Sequence, residues 1–167
     1  VRQAHQQIVR AKRDSLSLCE LVEVDYDVVS ARARDILAEK EPDDGVLGIP
    51  VDLLEADLLP GWDEEWLLLD RERHRQLRIH ALESLSEMLT AKGLYALAID
   101  AAYAAVRVEP LHESAHAALI AAHVAEGNRV EAMRQFRTYS HLLADETGMT
   151  PSPRLAHLVG ELRPGRP

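Results

Sequence analysis

GLYALAIDAAYAAVRVEP at 93–110 and GNRVEAMRQFRTYSHLLA at 127–144 decide the fold. They begin on glycines 34 positions apart, Gly93 and Gly127. Five residues after each glycine stands an alanine, Ala98 and Ala132. Eight before each stands a leucine, Leu85 and Leu119. A glycine that closes an apolar helical run lets the chain leave the helix with positive φ. A small residue just beyond it lets the next helix approach closely. The expected unit is therefore a pair of antiparallel helices, present twice.

A period of about 34 residues is that of the tetratricopeptide helix–turn–helix repeat. In the first copy Ala105 takes another small position and Pro110 ends the second helix. The second copy has Tyr139 and Ala144 at those places, and Phe136 where the first has Ala102. Two copies are fewer than the three or so that stabilise an independent array. The preceding segments are therefore expected to cap it. The fold class expected is mostly α: a tetratricopeptide-like antiparallel helical array with a short N-terminal β segment.

Composition agrees. The 167 residues are 47% hydrophobic and only 4% aromatic, a usage that suits alanine- and leucine-rich helices. Cys19, the one cysteine, can form no internal disulfide, which fits a reducing, cytoplasmic setting. No apolar run reaches about 18 residues, so no membrane span is expected, and no signal peptide opens the chain. The first residue is Val, as in a piece of a longer protein. Net charge is −9. Residues 1–15 hold four basic side chains and one acid, leaving 15 basic and 27 acidic residues in the remainder. An acidic body repels nucleic acid, so any DNA contact is expected at Arg2, Arg10, Lys12 and Arg13.

Along the chain, residues 1–13 read as a short helix and 16–25 as either one short hairpin or two strand pieces. Asp27 is the expected cap of a helix over 28–39, and the Pro- and Gly-rich 41–50 reads as a loop. A short helix at 51–57 follows. Pro60-Gly61 makes a turn, and Asp63 should cap a long helix to Lys92 with Leu82, Leu85, Met88 and Leu89 inward. Trp62 and Trp66 are expected to lock its start against the core. Further helices are expected at 95–108, 112–126, 129–145 and 152–162, before a frayed tail.

Residues 57–77, DLLPGWDEEWLLLDRERHRQL, resemble the signature of the bacterial transcriptional activator domain. That domain belongs to regulators of the Streptomyces antibiotic regulatory protein type. The resemblance rests on Leu58, Leu59, Pro60, Gly61, Asp63, Glu64, Trp66, Glu72 and Arg73. Gly93 with Ala98, VEPLHESAH at 108–116, GNRVEAMRQF at 127–136 and TPSPRL at 150–155 extend it. It implies a transcription regulator whose DNA-binding winged helix precedes this domain. Residues 1–26 then represent at most a remnant or edge of that winged helix, 27–163 the helical domain and 164–167 a tail. The implied role is a non-catalytic protein-interaction or oligomerisation module. Its face would be lined by Arg71, His74, Arg78, Tyr95, Tyr103, Arg107 and Arg134, and its partner another protein or a second copy. Direct DNA binding through the basic N-terminal segment is the alternative.

One motif argues for chemistry. HESAH at 112–116 is a formal HExxH, in which His112 and His116 would share a zinc and Glu113 would activate water. Third-ligand candidates are His123, Glu126 and Glu131. Against this, the motif opens a helix just after Pro110, where Glu113 suits the helix dipole. The repeat register also turns His116 inward. His5, His74, His80, His141 and His157 are scattered and read as surface or rim residues. No phosphate loop, nucleophile elbow or CxxC is present, so no cofactor, metal or enzymatic activity is expected.

Overall fold

The computed structural model describes residues 8–38 and 51–160. A two-stranded antiparallel hairpin, β1 (Val9–Lys12) and β2 (Ser15–Leu18), precedes the helices. Helices α1 (Asp25–Ala38) and α2 (Val51–Glu55) follow. A 3₁₀ turn at Glu65–Leu67 then leads into α3 (Leu68–Ala91). The array continues with α4 (Tyr95–Val108), α5 (Glu113–Glu126), α6 (Arg129–Thr147) and α7 (Pro153–Gly160). The mostly helical class and the short N-terminal sheet are as expected. The 41–50 loop and the C-terminal tail lie outside the described residues.

The two glycines perform the same act. At the end of α3, Gly93 has φ +74; its amide bonds the Thr90 carbonyl at 3.0 Å and the Leu94 amide bonds the Leu89 carbonyl at 2.9 Å. At the end of α5, Gly127 has φ +87; its amide bonds the Val124 carbonyl at 3.0 Å and the Asn128 amide bonds the His123 carbonyl at 2.8 Å. Both are Schellman closures, in which a left-handed residue turns the chain and satisfies two orphan carbonyls. The second copy adds a cap. The Asn128 side chain accepts from the Glu131 amide, a position that Leu94 fills in the first copy without a side-chain bond.

Close helix approach follows from side-chain size. Ala98, Ala101, Ala102, Ala104 and Ala105 on α4 are all fully buried, and α4 packs on α2, α3 and α5. Leu82, Leu85 and Leu89 of α3 are buried in the same cluster, with Val29, Ala33 and Ile36 of α1 and Leu54 of α2. Met88 packs against it partly buried. A second cluster joins α5, α6 and α7 through Ile120, Ala132, Tyr139, Leu143, Leu155 and Val159.

Several expectations fail. Of the helix expected over 1–13, residues 1–7 lie outside the described residues, and over 9–12 it is contradicted by β1: Val9 pairs Leu18, Arg10 pairs Ser17, Ala11 pairs Leu16 and Lys12 pairs Ser15. Period-two alternation of apolar and polar residues on the two strands prevails over the weak helical spacing. The strand over 16–25 stops at Leu18, because the Val22 amide turns back to the Cys19 carbonyl at 2.9 Å. Helix α1 begins at Asp25, ahead of the cap expected at Asp27, since the Val24 carbonyl takes the amides of both Asp27 and Val28. Finally, Asp63 does not cap α3. The 3₁₀ turn intervenes, burying Leu67 and leaving Trp62 and Trp66 54% and 61% exposed, so neither tryptophan locks the helix start against the core.

A Cβ added to Gly127 meets nothing within 4 Å, so its requirement for glycine is conformational alone. Gly127→Ala should cost about 1 kcal/mol in denaturant unfolding, and Gly127→Asn less. A loss of several kcal/mol would contradict that origin.

Candidate interaction surface

One face of α3 is a clamp. Arg71, His74 and Arg78 follow helical spacing and point toward the segment that joins α2 to α3. Arg78 is 2% exposed. Its guanidinium donates to the carbonyls of Leu54, Glu55 at 2.7 Å and Ala56 at 2.5 Å, and to Asp57 Oδ1 at 3.2 Å. These are the orphan carbonyls at the C-terminal end of α2, where a cation is also favoured by the helix dipole. Burial pulls the Arg78 pKa down from its ordinary value, opposed by Asp57. Arg71 donates to the carbonyls of Leu58 at 3.2 Å, Leu59 at 2.9 Å and Trp62 at 2.7 Å. The clamped backbone takes left-handed conformations at Leu59 (φ +46) and Gly61 (φ +82). His74 is buried between the two arginines and packs its ring on Tyr26 at 4.9 Å.

Other cations are committed internally as well. Arg75 pairs with Glu72 at 2.8 Å and also with Glu109, joining α3 to the end of α4. Arg107 donates Nε to Glu55 at 2.9 Å, joining α4 to α2 and holding the Glu55 carboxyl below its ordinary pKa. The Tyr103 hydroxyl accepts from Gln135 at 2.5 Å, a bond between α4 and α6. Burial raises its pKa. Arg134 is exposed and pairs with Glu131 on its own helix at 2.8 Å, and Tyr95 is half-buried. So of the seven residues expected on an interaction face, His74 and Arg78 are buried and Arg71 is turned into the clamp. Backbone carbonyls 9 to 24 positions upstream supply the acceptors of Arg71 and Arg78, while His74 is held inside by packing on Tyr26.

What the clamp presents outward is apolar. Leu59, Trp62, Trp66, Leu68 and Leu69 are exposed along 59–69, interleaved with the exposed acids Asp63, Glu64, Glu65 and Asp70. Five large apolar side chains exposed within eleven residues, set among acids, exceed the singly scattered apolar residues of an ordinary surface. The reading of the tryptophans as inward-facing concealed it. The available signal was the density of large apolar residues in WLLL, more than one helix face can bury.

The hairpin is amphipathic. Val9, Ala11, Leu16 and Leu18 share one face by register, Arg10, Lys12, Ser15 and Ser17 the other, and all eight residues are exposed. Arg13 lies in its exposed turn. Arg10 lies 3.8 Å from Cys19 Sγ and 4.0 Å from Glu20. Arg2 lies outside the described residues.

The residues of HESAH diverge. His116 is buried, stacks on Tyr139 at 4.3 Å and places Nε2 2.9 Å from the Pro110 carbonyl. A carbonyl only accepts, so Nε2 carries the proton and has no lone pair for a metal. Glu113 accepts from the Ser152 amide at 2.9 Å, anchoring the approach to α7, and helps raise the Tyr139 pKa, which burial raises most. His112 faces Glu83 on α3 instead, at 3.5 Å. Of the third ligands considered, His123 sits 3.6 Å from Glu126 within α5, and Glu131 is engaged by Arg134.

The fold is thus a mostly helical array whose two helix pairs are turned by glycine closures, preceded by a short hairpin. Residues 47–163 match the family described as the bacterial transcriptional activator domain, and the chain belongs to that family. Over 137 residues it is 30% identical to Regulatory protein AfsR of Streptomyces coelicolor, which covers 77% of this chain and 14% of that protein. The chain thus spans about one-seventh of the relative's length. The resemblance to the Streptomyces antibiotic regulatory protein type stands on both findings, and a role in transcription regulation comes with the family. Among the described residues, no helix is long and apolar enough to cross a membrane.

Two predictions follow from the buried cations and rings. Arg78→Met keeps the volume and abandons the α2 carbonyls, so it should cost roughly 2–4 kcal/mol in denaturant unfolding. Arg78→Lys should recover only part, because one ammonium cannot span the same acceptors. Burial lowers the pKa of both His74 and His116 from 6.5; Arg78 adds to it at His74, while Pro110 and Glu113 oppose it at His116. Below about pH 6.5 the unfolded chain therefore binds protons that the folded chain refuses, and stability falls as pH drops. Melting temperature should be flat above that pH and decline between pH 6.5 and 5.5. His116→Gln should make the decline shallower by up to ~1.4 kcal/mol per pH unit.

Proposed function

We propose that this domain is the non-catalytic protein-interaction and self-association module of a transcription regulator. The observation that carries the reading is the acid-rimmed apolar patch at Leu59, Trp62, Trp66, Leu68 and Leu69. The backbone beneath it is held by Arg71 and Arg78, so a partner meets a preformed surface and the ordering cost of binding is small. Tryptophans rank first among residues that dominate interface energies. The partner proposed is a second copy of the chain. Tyr95, Tyr103, Arg107 and Arg134 remain the candidates for a second contact face on the repeat. A cytoplasmic setting suits this role.

DNA contact, in this reading, belongs to a winged helix of which the hairpin is an edge. The exposed apolar face of Val9, Leu16 and Leu18 supports that assignment, because a ribbon of this kind rests on further structure. The basic face, with Arg10 and Lys12, would then approach phosphates. Acidic surface over the rest of the chain opposes DNA binding by the helical domain itself.

Sedimentation velocity over a wide concentration range tests the main reading. The chain should shift from monomer to dimer mass as concentration rises. Trp62→Ser with Trp66→Ser should weaken the dimer by at least ~30-fold with an unchanged circular dichroism spectrum. A monomer at every concentration, or a dimer indifferent to both substitutions, rejects the patch as the self-association surface.

A further inference from the structure

We infer that His80, Glu83 and His112 form a binding site for one divalent cation of the zinc class. HALE at 80–83 places a histidine and a carboxylate one turn apart on α3. The turn between α4 and α5 then brings His112 to the same spot from 29 residues downstream. His80 Nδ1 stands 3.4 Å from one Glu83 oxygen and His112 Nε2 3.5 Å from the other. The ligand atoms of the three residues all lie within 4.8 Å of one another. Zinc–nitrogen and zinc–oxygen bonds of about 2.0–2.1 Å set neighbouring ligands of a tetrahedral ion roughly 3.3 Å apart. Whichever Glu83 oxygen binds, one histidine nitrogen already stands near that spacing from it, and the remaining donors lie within the 4.8 Å limit, so small side-chain rotations close the set. The rings of His80 and His112 are inclined at 68° with centroids 6.1 Å apart, so they converge edge to face and do not stack in parallel.

The donor set is two imidazoles and one carboxylate, which suits zinc and leaves a fourth position for water. The carboxylate is oriented in advance: Ser114 Oγ donates to Glu83 Oε1 at 2.6 Å. Such outer partners tune metal affinity. The cluster is sheltered on one side, with the Glu83 side chain 13% and His112 26% exposed, and open at His80. His112, the first histidine of HESAH, therefore belongs to a donor set that its own motif does not contain. A cation here would tie the first helix of one repeat to the start of the next. It would fix the angle between the two helix pairs.

The test uses the untagged chain, stripped with chelator, titrated with Zn²⁺ by calorimetry and with Co²⁺ by visible absorption. One ion per chain should bind, with the absorption of four- or five-coordinate cobalt, and Zn²⁺ should raise the melting temperature. His80 is exposed, so His80→Ala should fold normally, bind at least ~10-fold more weakly and lose the thermal shift. His112→Ala should match it, Ser114→Ala should weaken binding about tenfold, and His141→Ala should change nothing. Absence of stoichiometric binding by the parent chain overturns the site, as does equal affinity in the parent and His80→Ala.

Discussion

The array depends on how closely α4 can lie against its neighbours. Its inward face is alanine at five positions, so the helix surface there is nearly backbone. Each alanine buries little apolar area, and its contribution lies in letting the leucines of α3 pack closely on α4 and share a cluster with Ala115 and Ala122 of α5. Tight contact of this kind recovers dispersion that a looser crossing forfeits. The constraint also explains why both helix pairs need an abrupt turn. A longer connection would place α4 and α6 at a distance that only larger side chains can fill.

Polar burial supplies the second level of order. α2 has five residues, too few to hold itself in water, and ends on carbonyls without helical partners. Arg78 meets those carbonyls, while Arg71 meets the next set along the chain. Two side chains on one helix thereby fix a segment that contains two residues of left-handed backbone and very little secondary structure. The burial that surrounds the arginines also lowers the pKa of His74 between them, with the Arg78 charge adding to the effect.

Local physics made much of this legible from residues alone. Gly93 and Gly127 announced their turns because positive φ is a property of one residue. The limits of α4 matched 95–108, because Leu94 and Pro110 bound a continuous helical run. What escaped reading was decided by distant acceptors. Arg78 has the composition of a surface residue and becomes interior only because α2 ends beside it. Trp66 has the composition of a core residue and faces outward because a 3₁₀ turn, and not an α-helical turn, precedes α3. HESAH looked like one motif, and its members have partners on α3, at Pro110 and at Ser152. Sequence proximity within the motif carried none of that. The 9–12 strand was obscured because four residues of alternation are weak evidence until a second strand is seen beside them.

The clamp over 54–62 holds its target entirely by main-chain oxygen, apart from Asp57. Leu59 and Trp62 thus give their carbonyls to the fold while their side chains face away from it. Shape and specificity are thereby encoded on different atoms of the same residues. Substitutions at these side chains can re-specify what the surface recognises without disturbing the scaffold that presents it. One backbone can then serve a lineage of regulators whose partners diverge.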